Sequence, residues 1–252
     1  MTTRPEPTQP PNSRSSARRE QPTPRTGTPE QAADFGVVGN ERLTALAGAV
    51  VLVLSVIELI TIAALTNLIA MHIIVGALLA GPVAVKMAST GWRFVRYYTR
   101  SPAYRRKGPP RLILRVLAPL LVVSTVGVIV SGIALAITGP APQILIVTHV
   151  ISFLVWTVTL VIHVTVYLPK VPRLITDDWG RRRAAAPEVK GRNWRLSGNL
   201  LGLAIGALAG VLLLPTIPAW RGAENGTKFL IVAVITALIG AAVTRLNIRT
   251  GS

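Results

Sequence analysis

The stretch that decides the fold is QILIVTHVISFLVWTVTLVIHVTVYL, residues Gln143–Leu168. It is apolar and uncharged, and it exceeds the length of about 20 residues that a helix needs to cross a bilayer. It contains His149 and His163, fourteen residues apart, which corresponds to about 21 Å along a helix. At about 100° per residue, the two side chains lie within roughly 40° of one helix face. Because ionisable residues inside membrane helices are costly, both histidines are candidate functional residues.

The composition of the chain is that of a polytopic membrane protein. Half of the residues are hydrophobic and only 15% are charged, against about 25% charged residues in a typical soluble domain. The net charge of +17 raises nucleic acid as a partner, but most basic residues flank apolar runs, which argues against that partner. The absence of cysteine excludes disulfides, thiolate metal sites and covalent haem attachment.

Hydrophobic runs predict an all-α bundle with six membrane spans. We predict a disordered basic tail over residues 1–40, a four-helix membrane core over 41–175, a cytoplasmic linker over 176–196 and a transmembrane hairpin over 197–246. The spans are Thr44–Leu65, Leu68–Ala88, Leu112–Ile137, Gln143–Leu168, Ser197–Ile217 and Lys228–Thr244.

The links between spans alternate in charge. The second and fourth links are rich in Arg and Lys, whereas the short links at Thr66–Asn67 and Gly139–Pro142 carry no charge. By the positive-inside rule, the basic links and both termini are cytoplasmic. The sequence therefore predicts a multi-pass protein of the plasma membrane, with the lipid bilayer as its surroundings.

This orientation gives the histidines their depths. His72 lies near the start of the second span and His149 near the start of the fourth, so both are expected near the outer surface, facing each other. Two imidazoles at matched depth suit the axial coordination of haem iron. Gly76 and Gly132 would give a porphyrin room between the helices. The alternative is that the histidines bond to neighbours and the glycines serve helix packing.

Spans one to four resemble the bacterial membrane-bound cytochrome b superfamily, which includes the cytochrome b subunits of formate dehydrogenases and nickel hydrogenases. The resemblance is carried by HIIVG at His72–Gly76, by Ser131-Gly132 and by the pair His149 and His163. It implies electron transfer between a quinone pool and a partner redox subunit. It also implies haem b, with His72 and His149 as ligands of an outer haem and His163 as one ligand of an inner haem.

The inner site departs from the four-histidine pattern of that superfamily. The residue at the depth of His163 in the second span is Lys86, and Met87 follows it. A lysine amine binds iron only when neutral, and Lys86 suits snorkelling to the inner headgroups. Methionine is an accepted haem ligand, but Met87 is turned about 100° from Lys86. The sequence therefore leaves one haem and two haems as alternatives.

Two further features bear on function. Glu58, in the first span, is a candidate to accept a proton from a quinol or a transported substrate, or to stay protonated within the bundle. The fifth span carries a glycine ladder, Gly198, Gly202, Gly206 and Gly210, which predicts close helix packing inside the chain or in a homodimer. The outer segment between the last two spans is a candidate seat for the partner redox subunit.

The sequence thus supports two functions. The first is an electron-transfer subunit, rather than a stand-alone enzyme, that carries bis-histidine haem. The second is a membrane transporter or scaffold without haem, in which the histidines and Glu58 couple to protons. Repeats of the kind found in many transporters are not visible between the first and last spans, so the first function is preferred.

Overall fold

A computed structural model describes residues 29–106, 112–168, 191–222, 224 and 226–250, and these residues form an all-helical protein without strands. Six helices are long and apolar enough to cross a membrane, which indicates a multi-pass membrane protein. A 3₁₀ segment, Leu214–Trp220, follows the fifth of these long helices. The helices are α1 (Pro29–Ala63), α2 (Leu65–Tyr98), the short α3 (Pro102–Arg106), α4 (Leu112–Thr138), α5 (Gln143–Tyr167), α6 (Arg192–Leu213) and α7 (Thr227–Thr250).

The observed boundaries extend several predicted ones. Helix α1 begins at Pro29, so it covers the last residues of the segment that the composition predicts to be disordered up to residue 40. The rest of that tail, residues 1–28, lies outside the described residues, and so do residues 169–190 of the basic link. Helix α6 begins at Arg192, ahead of the predicted start at Ser197.

The turn between α1 and α2 falls earlier than the predicted link at Thr66–Asn67. Ala64 separates the two helices, and Leu68 has non-helical backbone angles inside the first turns of α2. The amides of Asn67 and Leu68 both donate to the carbonyl oxygen of Ala64. This tight turn fixes the register in which α1 and α2 run side by side.

Polar contacts between α1 and α2 show how the two helices are aligned. An ion pair of 3.6 Å joins Glu41 to Arg93 near one end. The hydroxyls of Thr44 and Ser89 lie 2.8 Å apart one turn further along. Near the other end, Thr61 lies beside His72. The two helices are therefore paired over most of their length.

The long helices form two groups of three. Helix α2 packs against both α1 and α6, and α5 packs against both α4 and α7. The 3₁₀ segment touches α2 and α4 and so joins the two groups at one end of the bundle. We refer to this end as the short-link end, because the α1–α2 turn and the α4–α5 link also lie there. Gly139, with φ +75°, ends α4 at that link in the left-handed conformation that glycine adopts readily.

The two last spans, which the sequence predicts as a transmembrane hairpin, pack on different groups of helices. Helix α6 packs its glycine ladder on α2: a Cβ at Gly206 would collide with the backbone of Leu78, and one at Gly202 would lie 3.1 Å from the Gly81 oxygen. Helix α7 packs on α5, where Ala233 joins a cluster with Phe153 and Trp156. The ladder face is therefore occupied by a helix of the same chain.

The distribution of side chains is inverted relative to a water-soluble protein. Small hydroxyl residues such as Ser55, Thr61 and Thr157 are almost fully buried. Large aliphatic side chains are exposed along the outward faces of the long helices, for example Leu200 and Leu212 on α6 and Leu238 on α7. Such a surface is stable against lipid and not against water.

Candidate functional site

The candidate site begins with the hydrogen bonds of His72 on α2. Its Nδ1 atom lies 2.9 Å from Oε1 of Glu58 and 3.1 Å from Oγ1 of Thr61, both on α1. Thr61 itself donates to the backbone oxygen of Glu58, at 2.6 Å. The Thr61 hydroxyl donates its single hydrogen to that backbone oxygen and therefore accepts from His72, so Nδ1 of His72 carries the hydrogen. In the neutral ring the lone pair is then on Nε2, which is the atom that a metal ion could bind.

His149 on α5 is held in an equivalent way by α4. Its Nδ1 atom lies 3.1 Å from Oγ of Ser131. The Ser131 hydroxyl donates its single hydrogen to the carbonyl oxygen of Gly127, at 2.5 Å, and therefore accepts from His149. This network again assigns the hydrogen to Nδ1 and the lone pair to Nε2.

The two imidazoles face each other across the bundle, as their matched depth predicts. Their ring centroids are 6.3 Å apart and their planes are perpendicular, at 89°. A metal–imidazole bond is about 2 Å long and the ring radius adds about 1 Å, so two imidazoles on opposite sides of one ion have centroids about 6 Å apart. The observed separation would allow both imidazoles to bind one metal ion.

His72 and His149 line a cavity of about 250 Å³ between the two groups of helices. Apart from the two rings, Glu58 and Thr125, its lining is made almost entirely of apolar side chains. Two tryptophans, Trp156 of α5 and Trp220 of the 3₁₀ segment, also line it. The site is thus a largely apolar cavity that contains two imidazoles.

Gly76 and Gly132 both line this cavity, and each makes room for a polar side chain of the site. A Cβ at Gly76 would lie 3.0 Å from Oε1 of Glu58. A Cβ at Gly132 would lie 3.0 Å from Cε1 of His149. The sequence predicts that these glycines leave space for a porphyrin, and the structure adds that they leave space for the groups around the histidines.

His163 lies apart from the other two histidines. Its ring packs against Tyr167, with centroids 4.7 Å apart, and it lies within electrostatic range of Lys86. Lys86 reaches towards α1, where its Nζ atom would be 2.7 Å from a Cβ at Gly48. Met87 packs against the cluster around Val51. In the described part of the chain, none of His163, Lys86 and Met87 lines the His72–His149 cavity.

Sequence reasoning missed the partners of the two rings. Thr61 lies three residues after Glu58 and so shares its helix face, which is the one signal in the sequence for its contact with the site. Ser131 stands beside Gly132 in the sequence, but nothing there identifies it as the hydrogen-bond acceptor of His149. Trp220 lies in a link between spans, where no periodic pattern points to a cavity.

Comparisons of the chain with protein-family models, with curated proteins and with solved structures found no match. Within the described residues, no group of three or more His, Cys, Asp or Glu side chains is arranged to hold a metal ion. A haem needs fewer protein ligands than such a group provides, because the porphyrin nitrogens bind the iron as well. The two imidazoles and the shape of the cavity are thus the observations from which a function can be argued.

Proposed function

We propose that this chain is a b-type membrane cytochrome in which His72 and His149 are the axial ligands of one haem. The observation that carries the proposal is the 6.3 Å separation of the two ring centroids across an apolar cavity. The Nδ1 hydrogen bonds of both rings support it, because they leave each Nε2 lone pair for a metal. The resemblance of spans one to four to bacterial membrane-bound cytochromes b points in the same direction.

The side chains around the rings would set the properties of the iron. When bound, haem supplies one-electron redox chemistry. Glu58 accepts a hydrogen bond from His72 and so makes that imidazole more basic, whereas Ser131 is a neutral partner for His149. Thr61 donates to the backbone oxygen of Glu58, which helps to hold this part of α1 in place. The apolar lining keeps water away from both rings.

The proposed role is electron transfer between a membrane quinone and a partner redox protein. The cavity reaches the short-link end of the bundle, since Leu65, Ile146 and Trp220 all line it. A partner that docks at this end would be near the haem, and the exposed residues Pro218, Arg221, Glu224 and Lys228 offer it a surface. A quinone would approach from the bilayer, which the exposed aliphatic faces of the helices contact.

The proposed membrane is the plasma membrane, with the short-link end outside and both termini in the cytoplasm. The support is the charge at the opposite end of α2, where Arg93, Arg96 and Arg100 follow the apolar part of the helix. Basic residues are retained on the cytoplasmic side of membrane helices. His163 and Lys86 lie towards that end, and we assign them no haem, because their described neighbours do not form a second pair of facing imidazoles.

The test is the visible spectrum of the purified full chain, reduced minus oxidised. The expected result is a b-type spectrum that His72→Ala or His149→Ala abolishes almost completely. His163→Ala is the matched control, since it removes an intramembrane imidazole outside the cavity and should leave the spectrum intact. Full haem retention in His72→Ala would contradict the proposed ligands.

A second candidate function, proton-coupled transport, is favoured by one observation. Glu58 and His72 form a close acid–imidazole pair, 2.9 Å apart, inside an apolar bundle. Such pairs carry protons in membrane pumps and transporters. If the purified chain contains no haem, proton uptake by proteoliposomes that contain the chain or its Glu58→Gln variant, measured with an internal pH dye, becomes the decisive experiment.

A further inference from the structure

The last residue of the 3₁₀ segment Leu214–Trp220 has a polar side-chain atom that makes no hydrogen bond to the rest of the described protein. The indole nitrogen Nε1 of Trp220 is buried and has no hydrogen-bond partner among the described residues. A buried N–H group without an acceptor costs about 1–3 kcal/mol, so such groups are rare in stable proteins. The feature therefore calls for an acceptor that the described residues do not supply.

The position of Trp220 indicates where that acceptor belongs. The indole packs against a buried cluster formed by Ile73 and Ala77 of α2, Ala136 of α4 and Leu213 of α6. It also lines the cavity that contains His72 and His149. Trp220 thus lies over the junction of the two helix groups at the short-link end. The cavity is a space beside Trp220 that a ligand with an acceptor could fill.

We infer that the Trp220 indole N–H donates a hydrogen bond to an anionic carboxylate of the ligand that fills this cavity. The inference rests on the proposed function, because in a haem protein that carboxylate is a haem propionate. None of the described residues that line the cavity accepts a hydrogen bond from the indole. A ligand whose carboxylates lay elsewhere would therefore leave the indole N–H unpaired. The 3₁₀ segment thereby acts as a ligand-binding element and not only as a link between helices.

The test compares haem with its dimethyl ester, in which both propionates are neutral and poorer acceptors. The full chain, purified in detergent without haem, is titrated with each compound and followed by its Soret absorbance. Wild type should bind haem about tenfold more tightly than the ester, the effect of one hydrogen bond to a charged group. Trp220→Phe, which keeps an aromatic ring but lacks the N–H group, should lose most of this preference.

Two further variants separate the hydrogen bond from packing. Trp194→Phe changes an exposed tryptophan at the opposite end of α6 and should keep the full preference. Trp220→Tyr keeps a hydrogen-bond donor on an aromatic side chain without adding an imidazole to the cavity, and it should recover part of the preference even if Trp220→Phe fails to fold.

The outcomes distinguish this inference from the proposed function. Wild type that binds neither compound would overturn both. Wild type that binds haem and the ester equally, or a Trp220→Phe variant that keeps the tenfold preference, would overturn the role of Trp220 and leave the haem site standing.

Discussion

Glu58 and His72 are joined across the interface of the first two long helices, with Oε1 of the carboxylate 2.9 Å from Nδ1 of the imidazole. The contact gives the two imidazoles unequal partners, since His149 is paired with the neutral hydroxyl of Ser131. In the proposed haem site, the carboxylate partner would make His72 a stronger donor to the metal than His149.

Glu58→Gln should raise the midpoint potential of the haem. The carboxylate stabilises the ferric state through the imidazole, and the neutral amide does so less. A change of about 60 mV is expected, which corresponds to a tenfold change in a one-electron equilibrium. Redox titration of the haem band measures it. Glu41→Gln is the control, because Glu41 pairs with Arg93 far from the cavity, at 3.6 Å. An unchanged potential in Glu58→Gln would remove Glu58 from this role.

Ser131→Ala should weaken the binding of haem by about tenfold, because the buried N–H group of His149 loses its side-chain acceptor. The measurement is haem affinity, by titration of the apoprotein. Ser124→Ala on the same helix is a close control: Ser124 is equally buried and bonds to the carbonyl oxygen of Leu120 at 2.8 Å, but it does not line the cavity. Equal affinities for the two variants would count against the His149 assignment.

Gly206→Val should destabilise the protein by about 1–3 kcal/mol, because an added side chain at this position overpacks the contact between α6 and α2. Gly198→Val belongs to the same glycine ladder but meets nothing within 4 Å, so it should be nearly neutral. Thermal unfolding in detergent compares the two variants. If the ladder instead served a homodimer, Gly206→Val would convert a dimer into a stable monomer, which light scattering would detect.

A reporter inserted at Ala141 should be exposed outside the cell, whereas one at the C-terminus should be cytoplasmic. The reason is the excess of arginine at the end of α2 that lies opposite this link. Labelling of single introduced cysteines with an impermeant reagent is a direct measurement, since the chain has no cysteine of its own. External labelling at both positions would mean an even number of membrane crossings between Ala141 and the C-terminus, where three are expected.

Part of this site could be predicted from the sequence. Helix periodicity and the alternation of charged and neutral links were enough to put His72 and His149 at one depth, and their rings do face each other. The contact between Glu58 and His72 could not be predicted, because it depends on the register of α1 and α2. That register follows from a turn at Ala64, ahead of the predicted link, and such a shift rotates one helix relative to the other.

The packing of the last two helices could not be predicted from the sequence either. A glycine ladder indicates that another backbone comes close, but it does not identify the partner, because Leu78 and Gly81 of α2 carry no distinguishing pattern. Chain order favours a neighbour in sequence, and here α6 and α7 pack on different groups. Trp220 acquires its position from that arrangement and not from its own surroundings in the chain.

The division of α6 and α7 between the two helix groups has a consequence for biosynthesis. The first four long helices contribute both imidazoles, but Leu213 and Trp220 can join the cavity wall only after α6 and the 3₁₀ segment have been made. Each group of three helices is also incomplete until its last helix has been made, which is α6 for the group around α2 and α7 for the group around α5. A chain truncated before Arg192 would thus contain His72 and His149 but lack part of the cavity wall. If the cavity holds the haem proposed above, a truncated chain would bind that haem poorly, so full-length synthesis would precede cofactor binding.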